Sequence, residues 1–253
     1  MIGVFDSGSG GLTVLRAIRK RLPSSDFVYF GDIANAPYGS KTQEELSRLT
    51  ARSMRLLKDR GATSIVSACN SVSASLAVSL FDAFGIDPAN LIEMVGPTVS
   101  AFKDSPARIL LVATPATVRS GIYQNAFAMI GKEVKALPIP ELAGAIEFGA
   151  PEEEQERAIR GALAGVDVGA YDAVVLACTH YPLAYDLFRR IIPERVLVID
   201  PAYAVAERVE RQFWPREAGE GKLQLIVSKE SAPFRSLIGR FFPGHADAIE
   251  VLE

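Results

Sequence analysis

Cysteine, histidine and tryptophan are all scarce in this sequence: its 253 residues include two Cys, two His and one Trp. Two cysteines cannot supply the four ligands that usually close a structural zinc site. Nor can they make the disulfide framework of a small secreted domain. Met1-Ile2-Gly3-Val4-Phe5 has no positively charged leader and no cleavage site, so no export signal is expected. A cytoplasmic location with both thiols free is the expectation. Long apolar runs are missing too. Stretches such as Ile109–Ala113 fall far short of the roughly 20 residues that span a bilayer, so no membrane association is expected. The 27 basic and 30 acidic side chains give a formal net charge of −3, and the basic ones are scattered. Without a basic cluster no nucleic-acid partner is expected.

What is present is ordinary globular material. Hydrophobic residues make up 49% and charged residues 23%, and the length suits one large α/β unit or two small domains. Short apolar runs read as buried strands over Ile2–Phe5, Phe27–Phe30, Ser64–Ala68, Leu91–Val95, Ile109–Ala113, Val134–Pro138, Ala173–Ala177 and Val196–Ile199. Helical patterns lie between them, over Leu12–Leu22, Glu44–Arg60, Val72–Phe84, Val118–Ile130, Glu152–Leu163, Tyr185–Ile191 and Ala204–Phe213. Thr42-Gln43-Glu44-Glu45 has the spacing of a capping box. Strands alternating with helices predict an α/β fold with mostly parallel sheets, whose functional groups collect at the carboxyl ends of the strands.

An internal echo appears at those ends. Ile65-Val66-Ser67-Ala68-Cys69-Asn70-Ser71 resembles Val174-Val175-Leu176-Ala177-Cys178-Thr179-His180, 109 positions later. Ile2–Phe5 with Asp6 and Ser7 matches Leu110–Ala113 with Thr114 at nearly the same offset. Two pseudo-equivalent domains are the simplest explanation. Each cysteine then follows a strand and precedes a helix, where backbone N–H groups and the helix dipole favour a thiolate over the free thiol's pKa of roughly 8.5. The competing reading, two small buried hydrophobes, does not account for matched strand ends. His180, two residues after Cys178, can exchange a proton near neutral pH, whereas His245 reads as surface.

Two loops remain ambiguous on their own. Asp6-Ser7-Gly8-Ser9-Gly10-Gly11 reads either as a tight turn needing glycine for its backbone angles or as a cradle of N–H groups for an anion. It is neither a dinucleotide fingerprint nor a P-loop. Gly31-Asp32 with Pro37-Tyr38-Gly39 reads either as a packed turn or as a rigid edge presenting donors to a small substrate.

Taken together and in this order, Asp6-Ser7-Gly8 with Gly10-Gly11-Leu12-Thr13-Val14-Leu15, Gly31-Asp32 with Pro37-Tyr38-Gly39, Ala68-Cys69-Asn70-Ser71 and Cys178-Thr179-His180-Tyr181-Pro182 resemble the glutamate racemases. These are the cofactor-independent members of the aspartate/glutamate racemase superfamily. Ala113-Thr114-Pro115-Ala116-Thr117-Val118 with Ser120 and Tyr123, and Ile146-Glu147-Phe148-Gly149, add to the resemblance. It implies two pseudo-symmetric α/β domains, residues 1–95 plus 205–253 and residues 96–204, with the active site in the cleft between them. It also implies a small-molecule substrate, glutamate, racemised without a cofactor or metal by Cys69 and Cys178 acting from opposite faces. By family precedent Cys69 deprotonates the D-form and Cys178 the L-form. Asp6, Asp32, Glu147 and His180 fall at auxiliary acid–base positions. Asp6, Ser7, Pro37, Tyr38, Gly39, Asn70, Ser71, Thr114, Thr117, Thr179 and His180 fall at pocket positions beside the two thiols. A homodimer supplying D-glutamate to peptidoglycan is implied as well. The chain departs from the family pattern at Ile33, Asn35, Ser71, Val72 and Ala177. Aspartate racemisation, a thiol nucleophile built on Cys178 and His180, and a non-catalytic amino-acid-binding protein are the alternatives.

Overall fold

The computed structural model describes residues 1–73 and 87–252. Two parallel sheets organise them. The first contains β1 (Ile2–Asp6), β2 (Phe27–Gly31), β3 (Ser64–Ser67), β4 (Leu91–Ile92), β9 (Leu223–Val227) and β10 (Ile249–Val251), in the order β10-β9-β2-β1-β3-β4. The second contains β5 (Ile109–Ala113), β6 (Val134–Pro138), β7 (Ala173–Ala177) and β8 (Leu197–Ile199), in the order β6-β5-β7-β8. The core order is the same in both, with β1, β2, β3 and β4 matching β5, β6, β7 and β8. Cys69 and Cys178 therefore follow equivalent strands, as the internal echo implies.

Central strands are buried along their whole length because helices cover both faces. On one face of the first sheet, α1 (Gly11–Arg21), α10 (Ala202–Phe213) and α11 (Ala232–Phe241) bury Leu15, Ile18, Val205, Val209 and Ile238; on the other, α2 (Gln43–Asp59) buries Leu46, Leu49 and Leu57. Thr42 and Glu45 form the expected capping box at the start of α2. The second sheet is covered on one face by α7 (Leu142–Glu147), α8 (Glu152–Leu163) and α9 (Tyr185–Ile191). Its other face carries α4 (Val95–Ser100) and α6 (Ile122–Met129), which bring Val99 and Phe127 against Leu111 and Val175. Edge strand β6 is only partly covered.

Several boundaries differ from those read in the sequence. The strand expected over Leu91–Val95 is only two residues long, because the Glu93 carboxylate accepts from the N–H groups of Val95 and Gly96 and starts α4 there. The helix expected over Val118–Ile130 is two helices, α5 (Pro115–Ser120) and α6, parted by Gly121 at φ +66°. That left-handed angle carries little penalty for glycine. Of the helix expected over Val72–Phe84, only its start, in α3 (Asn70–Ser73), lies within the described residues. α7, α11, β9 and β10 carry no signal strong enough to have been read as elements. No helix among the described residues is long and apolar enough to cross a membrane.

Candidate active site

The carboxyl ends of both sheets meet around one small cavity. It is lined by Ser7, Pro37, Tyr38, Gly39, Cys69, Asn70 and Ser71 from the first sheet's loops, and by Thr114, Ala143, Cys178, Thr179 and His180 from the second. Both thiols are free and buried. The enclosed space is only about 10 Å³, on the order of what a single water needs. An amino acid enters only when the walls part.

Behind the lining stand four residues read from the sequence that do not themselves line the cavity. Asp6, at the end of β1, accepts from the Gly8 N–H at 3.1 Å and from the Thr179 hydroxyl of the opposite wall at 3.1 Å. Glu147, at the end of α7, accepts from His180 Nε2 at 2.5 Å, and His180 Nδ1 lies 3.9 Å from the Cys178 sulfur. Thr117 holds Thr114, which contacts the Ser71 hydroxyl, with both oxygen–oxygen distances 3.0 Å. Asp32 is turned to its own loop, accepting from the Tyr38 hydroxyl at 2.6 Å and from Asn35 Nδ2 at 3.0 Å. It stiffens the Pro37–Gly39 edge of the pocket.

The N–H groups of the glycine-rich loop do face carboxylates, Gly8 donating to Asp6 and Ser9 to Glu147, but its glycines do not serve a tight turn. Gly8, Gly10 and Gly11 are not at positive φ, so backbone angles do not demand them. Close approach does. A Cβ on Gly8 would lie 2.5 Å from the Glu147 carboxylate, and one on Gly10 would lie 2.6 Å from His180 Nδ1. The loop is thin so that the second domain can seat against it.

Burial and charge separate the two thiols. Burial pushes the Cys69 thiol well up, and the Asp6 carboxylate pushes it further; bonds from Ser7 and from the Ser71 N–H oppose this only in part. The sequence-based expectation that a helix N-terminus would lower this thiol is thereby overturned, because desolvation outweighs the first-turn dipole. Burial likewise lifts Asp6, against the pull of His180 and the Gly11 and Gly8 N–H groups. On the other wall, burial opposes charge on both Glu147 and His180, yet their partners win. His180, with help from Ser9, holds Glu147 below the usual carboxylate range, and the contact with Cys178 followed by the bond to Glu147 holds His180 well above the usual imidazole range. Cys69 thus faces a carboxylate, and Cys178 faces an imidazolium backed by one.

Asn70 is held by the Tyr123 hydroxyl, which donates to its Oδ1 at 2.6 Å, while its buried Nδ2 has no partner. That leaves a free donor beside Cys69. Ala143 and Ser9 are parts of the site that the sequence did not reveal, and Tyr123 was visible only as part of the family resemblance. Ser9 lies inside the first motif and gives a weak signal; a pocket alanine gives none. Among the described residues, no group of three or more His, Cys, Asp or Glu side chains is arranged to hold a metal ion.

Two α/β halves of identical strand order, each offering one thiol from an equivalent strand end to a shared cavity, define a protein of the two-thiol racemase class. Residues 2–209 match the model of the Asp/Glu/hydantoin racemase family, and the chain belongs to that family. It is 36% identical over 237 residues to a glutamate racemase of Aquifex aeolicus, a match covering 94% of this chain and 92% of that protein. Among solved structures it superposes on the glutamate racemase of Francisella tularensis in complex with D-glutamate, with a TM-score of 0.86 and 27% identity, covering 100% of this chain and 97% of that one. The glutamate racemase of Thermus thermophilus in complex with β-chloro-D-alanine gives 0.83 and 29%, covering 100% and 96%.

Proposed function

We infer that this chain is a cofactor-independent glutamate racemase. The observation that carries the reading is the pair of buried thiols at equivalent strand ends, lining one cavity from opposite walls. Inversion needs a base on one face of the α-carbon and an acid on the other, since a single base returns the proton to the side it came from. Cys178 as thiolate removes the proton of L-glutamate, with His180 and Glu147 holding the proton that Cys178 gave up. Cys69 as thiol delivers a proton to the opposite face, and the roles exchange for D-glutamate. The α-proton is weakly acidic, so the carbanionic intermediate depends on hydrogen bonds in a cavity that excludes water. The free Nδ2 of Asn70 and the Ser7, Ser71 and Thr179 hydroxyls are placed to hold the substrate's carboxylates and amine. Asp6 positions Thr179 and exchanges protons with Cys69.

The same reading takes residues 1–95 with 205–253, and 96–204, as the two domains that part to admit substrate. It places the enzyme in the cytoplasm as a homodimer, with D-glutamate consumed in peptidoglycan synthesis. Exposed Met129, Leu197, Tyr203 and Trp214 supply apolar surface of the kind that pairing covers.

The test is α-proton exchange in deuterated water with each glutamate enantiomer and with aspartate, nothing else being added. Deuterium entering glutamate with loss of optical activity is expected from the wild type. Cys69→Ser and Cys178→Ser are each expected to lose racemisation at least about a hundredfold. Exchange with aspartate alone would keep the chemistry and overturn the substrate. Full activity in either single variant would overturn the two-base reading.

A further inference from the structure

Ser9 belongs to the first domain's glycine-rich loop, yet both of its donors point into the second. Its N–H donates to Glu147 Oε2 at 2.8 Å and its hydroxyl donates to the same oxygen at 2.7 Å. His180 Nε2 is the third donor to that atom, at 2.5 Å, while Glu147 Oε1 has no partner. Three donors therefore converge on one oxygen, two of them from across the cleft. The hydroxyl has no competing local task, for α1 starts at Gly10 without any side-chain cap. Ser9 and Glu147 are each 1% exposed.

We propose that Ser9 is a positioning residue for the Cys178 base, completing the Cys178–His180–Glu147 relay from the opposite domain as the cleft closes. The proposal rests on the racemase reading. Hydrogen bonds to a carboxylate favour its charged form, and a charged Glu147 keeps a proton on His180, where the Cys178 proton goes. With the domains apart, Glu147 loses two of its three donors. Cys178 then becomes a competent base only around an enclosed substrate, which spares the thiolate from water and stray electrophiles. On the Cys69 side the thiol is bonded from its own domain by Ser7 and the Ser71 N–H, and Asp6 receives one bond from across the cleft, from Thr179, against the two that Ser9 gives Glu147. The other titratable groups facing the relay are Asp6 from β1, Tyr29 from β2, Cys69, Tyr123 from α6 and Tyr181 next to His180. Asp6 is tied to Thr179 and Gly8, and the Tyr29 hydroxyl donates to the Gly8 carbonyl at 2.6 Å. None of them reaches Glu147 through a hydrogen bond that duplicates Ser9.

The experiment compares wild type, Ser9→Ala and Ser9→Thr in two measurements. The first is an imidazole NMR titration, simplified by there being only two histidines. The second is racemisation of both enantiomers as a function of pH, with α-deuterated and ordinary substrate. In Ser9→Ala the His180 ring is expected to titrate about one unit lower, and the basic limb of the kcat/KM profile to move down with it. Because the enantiomers have equal free energy, kcat/KM must fall equally in both directions, here by about tenfold. The asymmetry appears instead in the isotope effect on kcat/KM, which should grow for the enantiomer that Cys178 deprotonates and not for the other. Ser9→Thr, which keeps the hydroxyl, should restore the titration and the profile. Superimposable titrations and pH profiles in wild type and Ser9→Ala would overturn the proposal while leaving the racemase reading intact, as would Ser9→Thr behaving like Ser9→Ala. A wild-type enzyme inert toward both enantiomers would sink the racemase reading, and the proposal with it.

Discussion

Replacing Glu147 by Gln preserves the side chain's shape and removes its charge from beside His180. The two side chains are 1% and 3% exposed and 2.5 Å apart, so solvent screens little. If His180 stayed charged, the cost of stripping a buried ion of its partner would be about 3–5 kcal/mol. The imidazole has an escape, which is to lose its proton and donate a neutral bond to the new amide. The loss is then the difference between charge-assisted and neutral hydrogen bonds, about 1–2 kcal/mol once the Ser9 bonds are counted. For a chain of this size each kcal/mol moves Tm by about 2–4 °C, which puts the expected fall at about 2–8 °C.

The pH dependence has a definite sign. His180 is raised when folded, so its contribution is fully present below its ordinary value of 6.5 and fades as pH rises through the folded value. Glu147 is lowered, so its contribution is present above 4.5 and fades as pH falls through the folded value. The Tm gap between wild type and Glu147→Gln is therefore widest between about pH 4.5 and 6.5 and narrows on either side. Thermal unfolding followed by circular dichroism across pH 3–10 measures the gap. Polarimetry at neutral pH is expected to show kcat/KM down about a hundredfold, equally for both enantiomers. A gap that stays constant across that range, or activity within twofold of wild type, would refute the pairing argument.

Gly10→Ala tests close approach without backbone strain, because Gly10 is already at φ −58°, which any residue adopts. Its new methyl would sit 2.6 Å from His180 Nδ1 and 2.8 Å from the His180 N–H nitrogen. The walls must separate, and racemisation is expected to fall about a hundredfold. A fully active Gly10→Ala would contradict the closed seat. Asn70→Ala is expected to raise KM for glutamate more than it lowers kcat, by about tenfold, through loss of the unpartnered Nδ2 donor; an unchanged KM would remove Asn70 from substrate binding. Thr42→Ala removes the side-chain half of the α2 capping box, the acceptor for the Glu45 N–H, and is expected to cost about 1 kcal/mol, with activity at 25 °C unchanged. Calorimetry showing no loss of Tm would mean that the cap is redundant.

Much of this protein is determined by sequence alone. Apolar runs of four or five residues between amphipathic segments specify parallel strands buried on both faces, because no other element hides such runs so compactly. The repeat of Cys69 and Cys178 after matching runs marks equivalent strand ends, and β3 and β7 do occupy the same place in the two sheets. Two of the segments that eluded full reading show partial burial in one case and an end set by one local contact in the other. β10 is exposed at two of its three residues, so it lacks the apolar signature, and β4 is cut short by the capping carboxylate of Glu93.

Tertiary structure alone decided how the two halves act on each other. His180 marks Cys178 locally, but its charge and its partner are not local. The difference comes from Asp6 beside one and the His180–Glu147 pair beside the other, and Glu147 and Ser9 lie 138 positions apart in the chain. Gly8 and Gly10 look like turn residues in sequence, yet they are required by Glu147 and His180, each more than a hundred residues away. Strand and helix follow from patterns within a few residues. Proton affinity and enclosure depend on which distant groups burial brings within about 3 Å, where electrostatics in a dry interior are strongest.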